Sequence, residues 1–215
     1  SIQNLANTAA NGVLAKFYNL AGQQVNQINL PSLPAYAAFQ LNFIDSPQIP
    51  NGFEGSVVID SPSPVAVVNN QLGDQNFGIP LRTSTSWSGG ATTLQVPFLG
   101  NSTLGLGATL TVMNPGSQPA NVTISHSNGS QPPAPFTLAA FASQTVNYPQ
   151  SGFAATVTAG QPIVAVVTNT RLDSQGGASW HEAVGAGSLR FALPFFAKSY
   201  TGIPNSTLDS TLVLF

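Results

Sequence analysis

The sequence contains very few charged residues. Asp, Glu, Lys and Arg together make up 6% of the 215 residues, and the formal net charge is -2, whereas an ordinary soluble protein is about 25% charged. Five scattered basic residues cannot form a basic patch, so we expect no nucleic-acid partner and no polybasic membrane anchor. A polar surface of Ser, Thr, Asn and Gln suits a protein that is glycosylated or packed against other copies.

Cysteine is absent, which excludes disulfides and cysteine metal sites. No apolar run approaches the ~18 residues of a transmembrane helix, so the sequence predicts no membrane span. The chain begins with Ser1 rather than Met. This start indicates either a removed leader or a fragment of a longer protein.

Hydrophobic residues make up 42% of the chain and alternate with polar ones, a pattern that argues against disorder. Short β-rich runs are separated by Gly, Pro, Asn and Ser about every ten residues, which predicts an all-β sandwich fold. The predicted strands are 12–19, 25–30, 37–43, 54–60, 65–72 and 92–99, followed by 108–113, 121–127, 135–138, 144–148, 154–159, 163–171 and 189–196.

The two halves of the sequence repeat each other at a spacing of roughly a hundred residues, the size of an immunoglobulin-like sandwich. We therefore predict two tandem immunoglobulin-like β-sandwiches, residues 1–99 and 108–198, with a linker at 100–107 and a final segment at 199–215. The matching segments are 4–11 and 114–121, Gly52-Phe53 and Gly152-Phe153, Val65-Ala66-Val67-Val68 and Val164-Ala165-Val166-Val167, and Val96-Pro97-Phe98 and Leu193-Pro194-Phe195.

Residues 208–215 alternate like a strand and match 106–113, the start of the second repeat. Ser1 to Asn4 match only the end of that strand, at 111–114. The first sandwich is thus predicted to lack most of a strand that the C-terminus has to spare, and strand addition between copies would supply it. Such a head-to-tail contact builds a filament. The donor-strand residues are Leu208, Ser210, Leu212, Val213, Leu214 and Phe215, and the acceptor end is Ile2.

These features resemble donor-strand-complemented extracellular filaments of bacteria and archaea. The repeats also resemble tandem immunoglobulin-like repeats of prokaryotic cell-surface proteins, in their Asn-rich start, central Gly-Phe and final Val-Pro-Phe. The resemblance implies an extracellular, cell-surface, helical homopolymer with a structural and not an enzymatic role. One alternative is a fragment of a longer repeat array that serves as an adhesive or carbohydrate-binding module. Another is an accessory module of a larger secreted enzyme.

Four sequons fit the N-glycosylation pattern and lie in linkers or near strand ends. They make glycans candidate partners and would help a weakly charged surface to stay in solution. The candidate acceptors are Asn101, Asn121, Asn128 and Asn205.

The remaining candidates for chemistry have simpler structural interpretations. His181 precedes Glu182 without a third metal ligand nearby, so we expect a surface pair and no metal or other cofactor. His126 aligns with Lys16 and is therefore not a shared site. Trp87 and Trp180 fall in corresponding Gly/Ser-rich loops, where they would cap a sandwich or stack on a sugar ring. A Lys–Asn cross-link is disfavoured, because the two lysines, Lys16 and Lys198, do not occupy matching positions.

Overall fold

The described part of the chain is all-β, as predicted. The computed structural model describes residues 1–42, 49–71, 82–85, 89–100, 105–149, 152–171 and 178–185, which form fourteen strands and no helix. No helix in this part of the chain is therefore long and apolar enough to cross a membrane. In chain order the strands are β1 (Ile2–Asn4), β2 (Leu14–Asn19), β3 (Gln24–Asn29), β4 (Ala38–Phe39), β5 (Gly55–Asp60), β6 (Val65–Gln71), β7 (Arg82–Thr85), β8 (Ala91–Leu99), β9 (Leu106–Met113), β10 (Ala120–His126), β11 (Phe136–Leu138), β12 (Ser143–Tyr148), β13 (Phe153–Arg171) and β14 (Ala178–Glu182).

Most predicted strands coincide with observed ones, with two differences. The runs predicted at 154–159 and 163–171 form one long strand, β13. Strands β1, β7 and β14 have no counterpart among the predicted strands. The strand predicted at 189–196 lies outside the described residues.

The strands form two sandwich-like halves, here called the first repeat (the described residues up to 85) and the second repeat (those from 91 to 185). In the first repeat the sheets have the orders β4-β1-β6-β7 and β3-β2-β5. In the second repeat β13 takes part in both layers. Its N-terminal part pairs with β10 and β8, and its C-terminal part pairs with β9 and β14.

A buried asparagine, Asn4, ties the start of the first repeat together. Its Nδ2 donates to the carbonyl oxygens of Thr8 at 2.7 Å, Leu33 at 3.1 Å and Pro34 at 3.0 Å. Its Oδ1 accepts the backbone N–H of Ala6 at 2.9 Å. A fully buried amide needs such partners, because an unsatisfied buried polar group costs about 1–3 kcal/mol.

Asn114 makes the same hydrogen bonds in the second repeat. Its Nδ2 donates to the carbonyl oxygens of Gln118 at 2.7 Å, Leu138 at 3.3 Å and Ala139 at 2.9 Å. Like Asn4, it is completely buried. The sequence match between 4–11 and 114–121 therefore corresponds to one local structure that occurs twice.

The strand pairing corrects one predicted alignment by one residue. Ile2 pairs with Val67 in the first repeat, and its counterpart Val112 pairs with Ala165 in the second. Val67 therefore corresponds to Ala165 and not to Val166. Ala165 is buried in the second core and Val67 packs against the first. Corresponding positions must share the inward face, since a one-residue slip in a strand turns every side chain to the opposite face.

A second alignment is also corrected. His126 was predicted to align with Lys16, but the strand pairing places it at the position of Phe17. Phe17 and Lys16 are neighbours in β2, so their side chains lie on opposite faces of the strand. Phe17 packs edge-on against Phe53, with ring centroids 6.4 Å apart. The rings of His126 and Phe153 are also in contact, with centroids 4.5 Å apart and planes tilted by 41°. The Gly-Phe match between the two halves is thus reflected in a ring contact at the same place, although its geometry differs.

Strand β8 differs most from the prediction. It was expected to close a first sandwich ending at residue 99, but it pairs with β13 of the second repeat. Its buried side chains Leu94, Val96 and Leu99 belong to the second hydrophobic core. Among the described residues that core has 18 buried hydrophobic members, whereas the first core has 5.

Candidate functional site

Strand β8 shows how an added strand completes a repeat. Leu94 lies opposite Val157 and Val96 lies opposite Ala155 in β13. On its other edge, Gln95 exchanges backbone hydrogen bonds of 2.7 and 2.9 Å with Val184. Beyond Val96 the register with β13 shifts. A register shift accommodates Pro97, which has no N–H to donate.

The corresponding edge in the first repeat belongs to β5. Phe17 pairs with Val57 as His126 pairs with Ala155, so β5 is the counterpart of the N-terminal part of β13. It pairs with β2 on one side, and no described strand pairs with its other side. Val57 is 43% exposed, whereas Ala155, which β8 covers, is 2% exposed. The first repeat thus presents an apolar strand edge of the kind that binds another strand.

The aromatic contact between the repeats also has an uncovered counterpart. Tyr18 of the first repeat stacks on Phe141 of the second, with ring centroids 4.6 Å apart and 18° between the planes. The residue that corresponds to Phe141 in the first repeat is Tyr36, since both have a positive φ, 59° and 61°. Tyr36 is 62% exposed. A surface that is covered within the chain in the second repeat is therefore open in the first.

The same junction brings two backbones into close contact. The N–H of Ser143 donates to the carbonyl oxygen of Leu20 at 3.1 Å. Gly22, with φ +82°, approaches so closely that a Cβ there would lie 2.1 Å from the carbonyl oxygen of Ala140. Only glycine fits this approach, so the contact between the β2–β3 turn and the second repeat is specific in geometry.

One ion pair lies beside the open edge of β5. Lys16 Nζ is 2.6 Å from a carboxylate oxygen of Asp60, the last residue of β5. The hydrogen bond and the opposite charge of Asp60 raise the pKa of Lys16. Both side chains are accessible to solvent, so the pair contributes little to stability. The Asp60 side chain is 50% exposed and is open to a further cation.

The predicted acceptor end, Ile2, is buried between two strands. It pairs with Phe39 of β4 and Val67 of β6 and is 2% exposed. The amino group of Ser1 donates to the carbonyl oxygen of Val68 at 2.7 Å, and the N–H of Val68 donates back to Ser1 at 2.9 Å. β1 is three residues long, whereas its counterpart β9 is eight residues long.

The position of Ile2 limits how far the inserted strand can extend into the first repeat. The alignment of 208–215 with 106–113 places Leu214 at the position of Val112. In the first repeat that position is already occupied by Ile2, which pairs with β6 as Val112 pairs with β13. Two side chains cannot share one place in a core, so an inserted strand must end before it. The donor residues themselves, 208–215, lie outside the described residues.

The structure describes two of the four candidate glycosylation sites. Asn121 lies at an exposed position in β10, and its Oδ1 accepts a hydrogen bond of 2.7 Å from Thr137. Asn128 lies in the exposed turn after β10, and its Oδ1 accepts hydrogen bonds from the N–H and the hydroxyl of Ser130. Both asparagines are accessible from solvent. The other two, Asn101 and Asn205, lie outside the described residues.

A small polar-aromatic cluster surrounds His126. Its Nδ1 lies 2.9 Å from Ser130 Oγ and its Nε2 lies 3.2 Å from the Tyr148 hydroxyl. Burial lowers the pKa of His126 because it disfavours the imidazolium. Burial also raises the pKa of Tyr148 to about 12. His126 thus connects the turn after β10 to β12 through the hydroxyls of Ser130 and Tyr148.

The other residues considered for chemistry do not converge. Trp180 lies in β14, opposite Thr168, and not in a loop, while Trp87 and Lys198 lie outside the described residues. His181, also in β14, contacts Asn169 at 3.3 Å, and burial lowers its pKa. Within the described ranges, no three His, Cys, Asp or Glu residues cluster as metal ligands. A sugar-binding role for the tryptophans stays a prediction.

Comparison with known proteins does not identify a family. No family model matches the chain, and no curated protein matches it. One similar solved structure is the crystal structure of Thermotoga maritima 1070, which is 14% identical, covers 44% of this chain and 94% of that chain, and has a TM-score of 0.35. A likeness this weak carries no argument for fold or function, which must therefore be argued from the residues themselves.

Proposed function

We propose that this protein is the structural subunit of an extracellular filament, built from two tandem immunoglobulin-like sandwiches. Copies join head to tail when residues 208–215 of one copy insert into the first sandwich of the next. The binding energy comes from main-chain hydrogen bonds and from side chains that enter the acceptor core. Burial of three leucines, Leu208, Leu212 and Leu214, contributes on the order of 5–8 kcal/mol before ordering costs.

The observation that carries this proposal is the unequal strand coverage of two equivalent repeats. Asn4 and Asn114 make matching hydrogen bonds, yet Val57 in the first repeat is 43% exposed and its counterpart Ala155 in the second is 2% exposed. The first repeat has the shorter strand β1 and the open edge of β5. An incomplete sandwich exposes apolar surface and unpaired backbone groups, and a strand from another copy removes both.

The inserted strand must end before Ser1 and Ile2, which limits its register. A shift of four residues keeps the leucines inward and places Leu214 where Ala108 lies in the second repeat, with Leu212 at the position of Leu106. Ala108 is 5% exposed. A shift of an odd number of residues would instead turn Val213 inward.

Single charged substitutions test both the insertion and its register. Leu212→Asp places a carboxylate in the acceptor core and should abolish the filaments that electron microscopy shows. The protein should then sediment as monomers. Val213→Asp, on the opposite face, is the matched control and should leave filaments intact. Filaments that survive the deletion of 208–215 would refute donation of this strand. Filaments lost only with Val213→Asp would show the odd register.

Glycosylation belongs to the same proposal, because a chain with so few charges needs another hydrated surface. Asn121 and Asn128 are exposed acceptors. Intact mass spectrometry of protein from its native source measures the modification directly. A mass equal to that of the amino-acid sequence would remove glycans from the proposal without affecting the filament.

A further inference from the structure

We infer that the open edge of β5 binds a second strand from the neighbouring copy, residues 189–196. This inference rests on the proposed function and extends the inserted segment from one strand to two. Residues 189–196 add to β5 in the way that β8 adds to β13. They lie outside the described residues, and their sequence and the contacts of their counterpart β8 indicate the pairing.

The sequence of 189–196 matches β8. Val96-Pro97-Phe98 corresponds to Leu193-Pro194-Phe195, with a proline at the place where the β8 register shifts. The three side chains of β8 that enter the second core are Leu94, Val96 and Leu99. Their counterparts are Phe191, Leu193 and Phe196. All three positions stay large and apolar, as a core-forming face requires.

The connection of β8 indicates which copy receives the segment. β8 follows β7 of the first repeat along the chain, yet it pairs in the second repeat. Residues 189–196 follow β14 of the second repeat, so the same connection carries them forward to a further repeat and not back to their own. In a head-to-tail polymer that further repeat is the first repeat of the next copy.

The known register of β8 predicts the contacts on β5. Leu193 takes the place of Val96 and lies beside Val57, since Val96 pairs with Ala155. Phe191 correspondingly lies beside Ile59. Val57, now 43% exposed, becomes covered as Ala155 is. The exposed apolar edge is thus matched by an apolar face of the right spacing.

The same register brings two opposite charges together. Thr93 pairs with Thr158, and the corresponding pair between copies is Arg190 and Asp60. The chain has only 5 basic and 7 acidic residues, and this register places one of each opposite the other. A cross-strand pair of this kind contributes roughly 0.2–1 kcal/mol and disfavours other registers. Asp60 has room for it beside Lys16, because its side chain is 50% exposed.

Cysteine pairs test this register in a chain that has no cysteine of its own. Thr156 pairs with Gln95, and their side chains are 2.9 Å apart, so the corresponding residues between copies are Val58 and Ala192. A mixture of V58C and A192C proteins under mild oxidation with a disulfide reagent should give a covalent dimer on a non-reducing gel. V58C mixed with R190C, two residues out of register, should give at least tenfold less.

The outcomes separate this inference from the filament proposal. If wild-type filaments form but V58C and A192C do not cross-link within them, the inference is overturned and donation of 208–215 alone survives. If neither filaments nor cross-links form, both proposals fail. If V58C/A192C in one chain cross-links within a monomer, the second copy is not the partner. Rescue of D60R assembly by mixing with R190D would support the charge pair independently.

Discussion

Tyr18 and Phe141 stack across the junction between the two repeats, with ring centroids 4.6 Å apart. Phe141→Ala should therefore lower the free energy of unfolding by about 1–3 kcal/mol in dissociated copies. Tyr36→Ala is the matched control, since Tyr36 has the same positive φ but is 62% exposed, and it should change stability by less. Urea unfolding measures both, and equal effects would contradict a specific contact at Phe141.

The buried amide of Asn114 should be indispensable to the second repeat. Asn114→Asp replaces a donor to three carbonyl oxygens by a carboxylate that only accepts, so it should destabilise more than Asn114→Ala, which itself should cost about 2–4 kcal/mol. Thermal unfolding checks the order of the two variants. If the aspartate variant is as stable as the wild type, the hydrogen bonds described for Asn114 are wrong.

The placement of β8 gives a regional prediction. Val96 is completely buried in the second core, so Val96→Asp should expose β9 and β10 to hydrogen exchange while leaving β2 and β5 unchanged. Thr93→Asp, on the exposed face of the same strand, is the control and should leave all four protected. Loss of protection in the first repeat instead would show that β8 packs in that repeat.

Stability should fall on mild acidification. Burial lowers the pKa of His126 and of His181 below the ordinary value of 6.5, so the unfolded chain binds protons that the folded chain does not. Stability is then complete above pH 6.5 and decreases as the pH falls towards the folded pKa values. His126→Phe, which installs the residue of the first repeat, should reduce this pH dependence between pH 7 and 5 in urea unfolding. An unchanged slope would exclude a contribution from His126.

The internal repeat could be found in the sequence because its pattern follows from local physics. Both repeats have an asparagine before a turn and a hydrophobic residue after it. In each repeat the buried amide of that asparagine, Asn4 or Asn114, donates to three carbonyl oxygens. The misalignment of His126 with Lys16 arose where the repeats differ in length. Gly12, with φ +76°, is an extra residue in the first repeat, and only pairing partners reveal which neighbouring residue shifts face.

The partner of β8 could not be predicted. Its alternating side chains show that one face is buried but not against which sheet, because either repeat offers an apolar face of the same spacing. Sequence order favoured the first repeat, and β8 pairs with β13 of the second. Likewise the sequence could not show that the strand edge at Val57 is exposed, because β5 has the apolar pattern of a covered strand.

The covalent continuity of β8 with β9 has a consequence for how the two repeats respond to dilution. Within one chain β8 is always present at its sheet, since a short tether gives a strand an effective concentration in the millimolar range. The second repeat should therefore melt at the same temperature at any dilution. A strand supplied to β5 by another copy obeys mass action, so the first repeat should become less stable as the protein is diluted. The second repeat would then serve as an internal reference, because its melting temperature does not depend on concentration. The melting temperature of the first repeat would report how many copies have a bound neighbour.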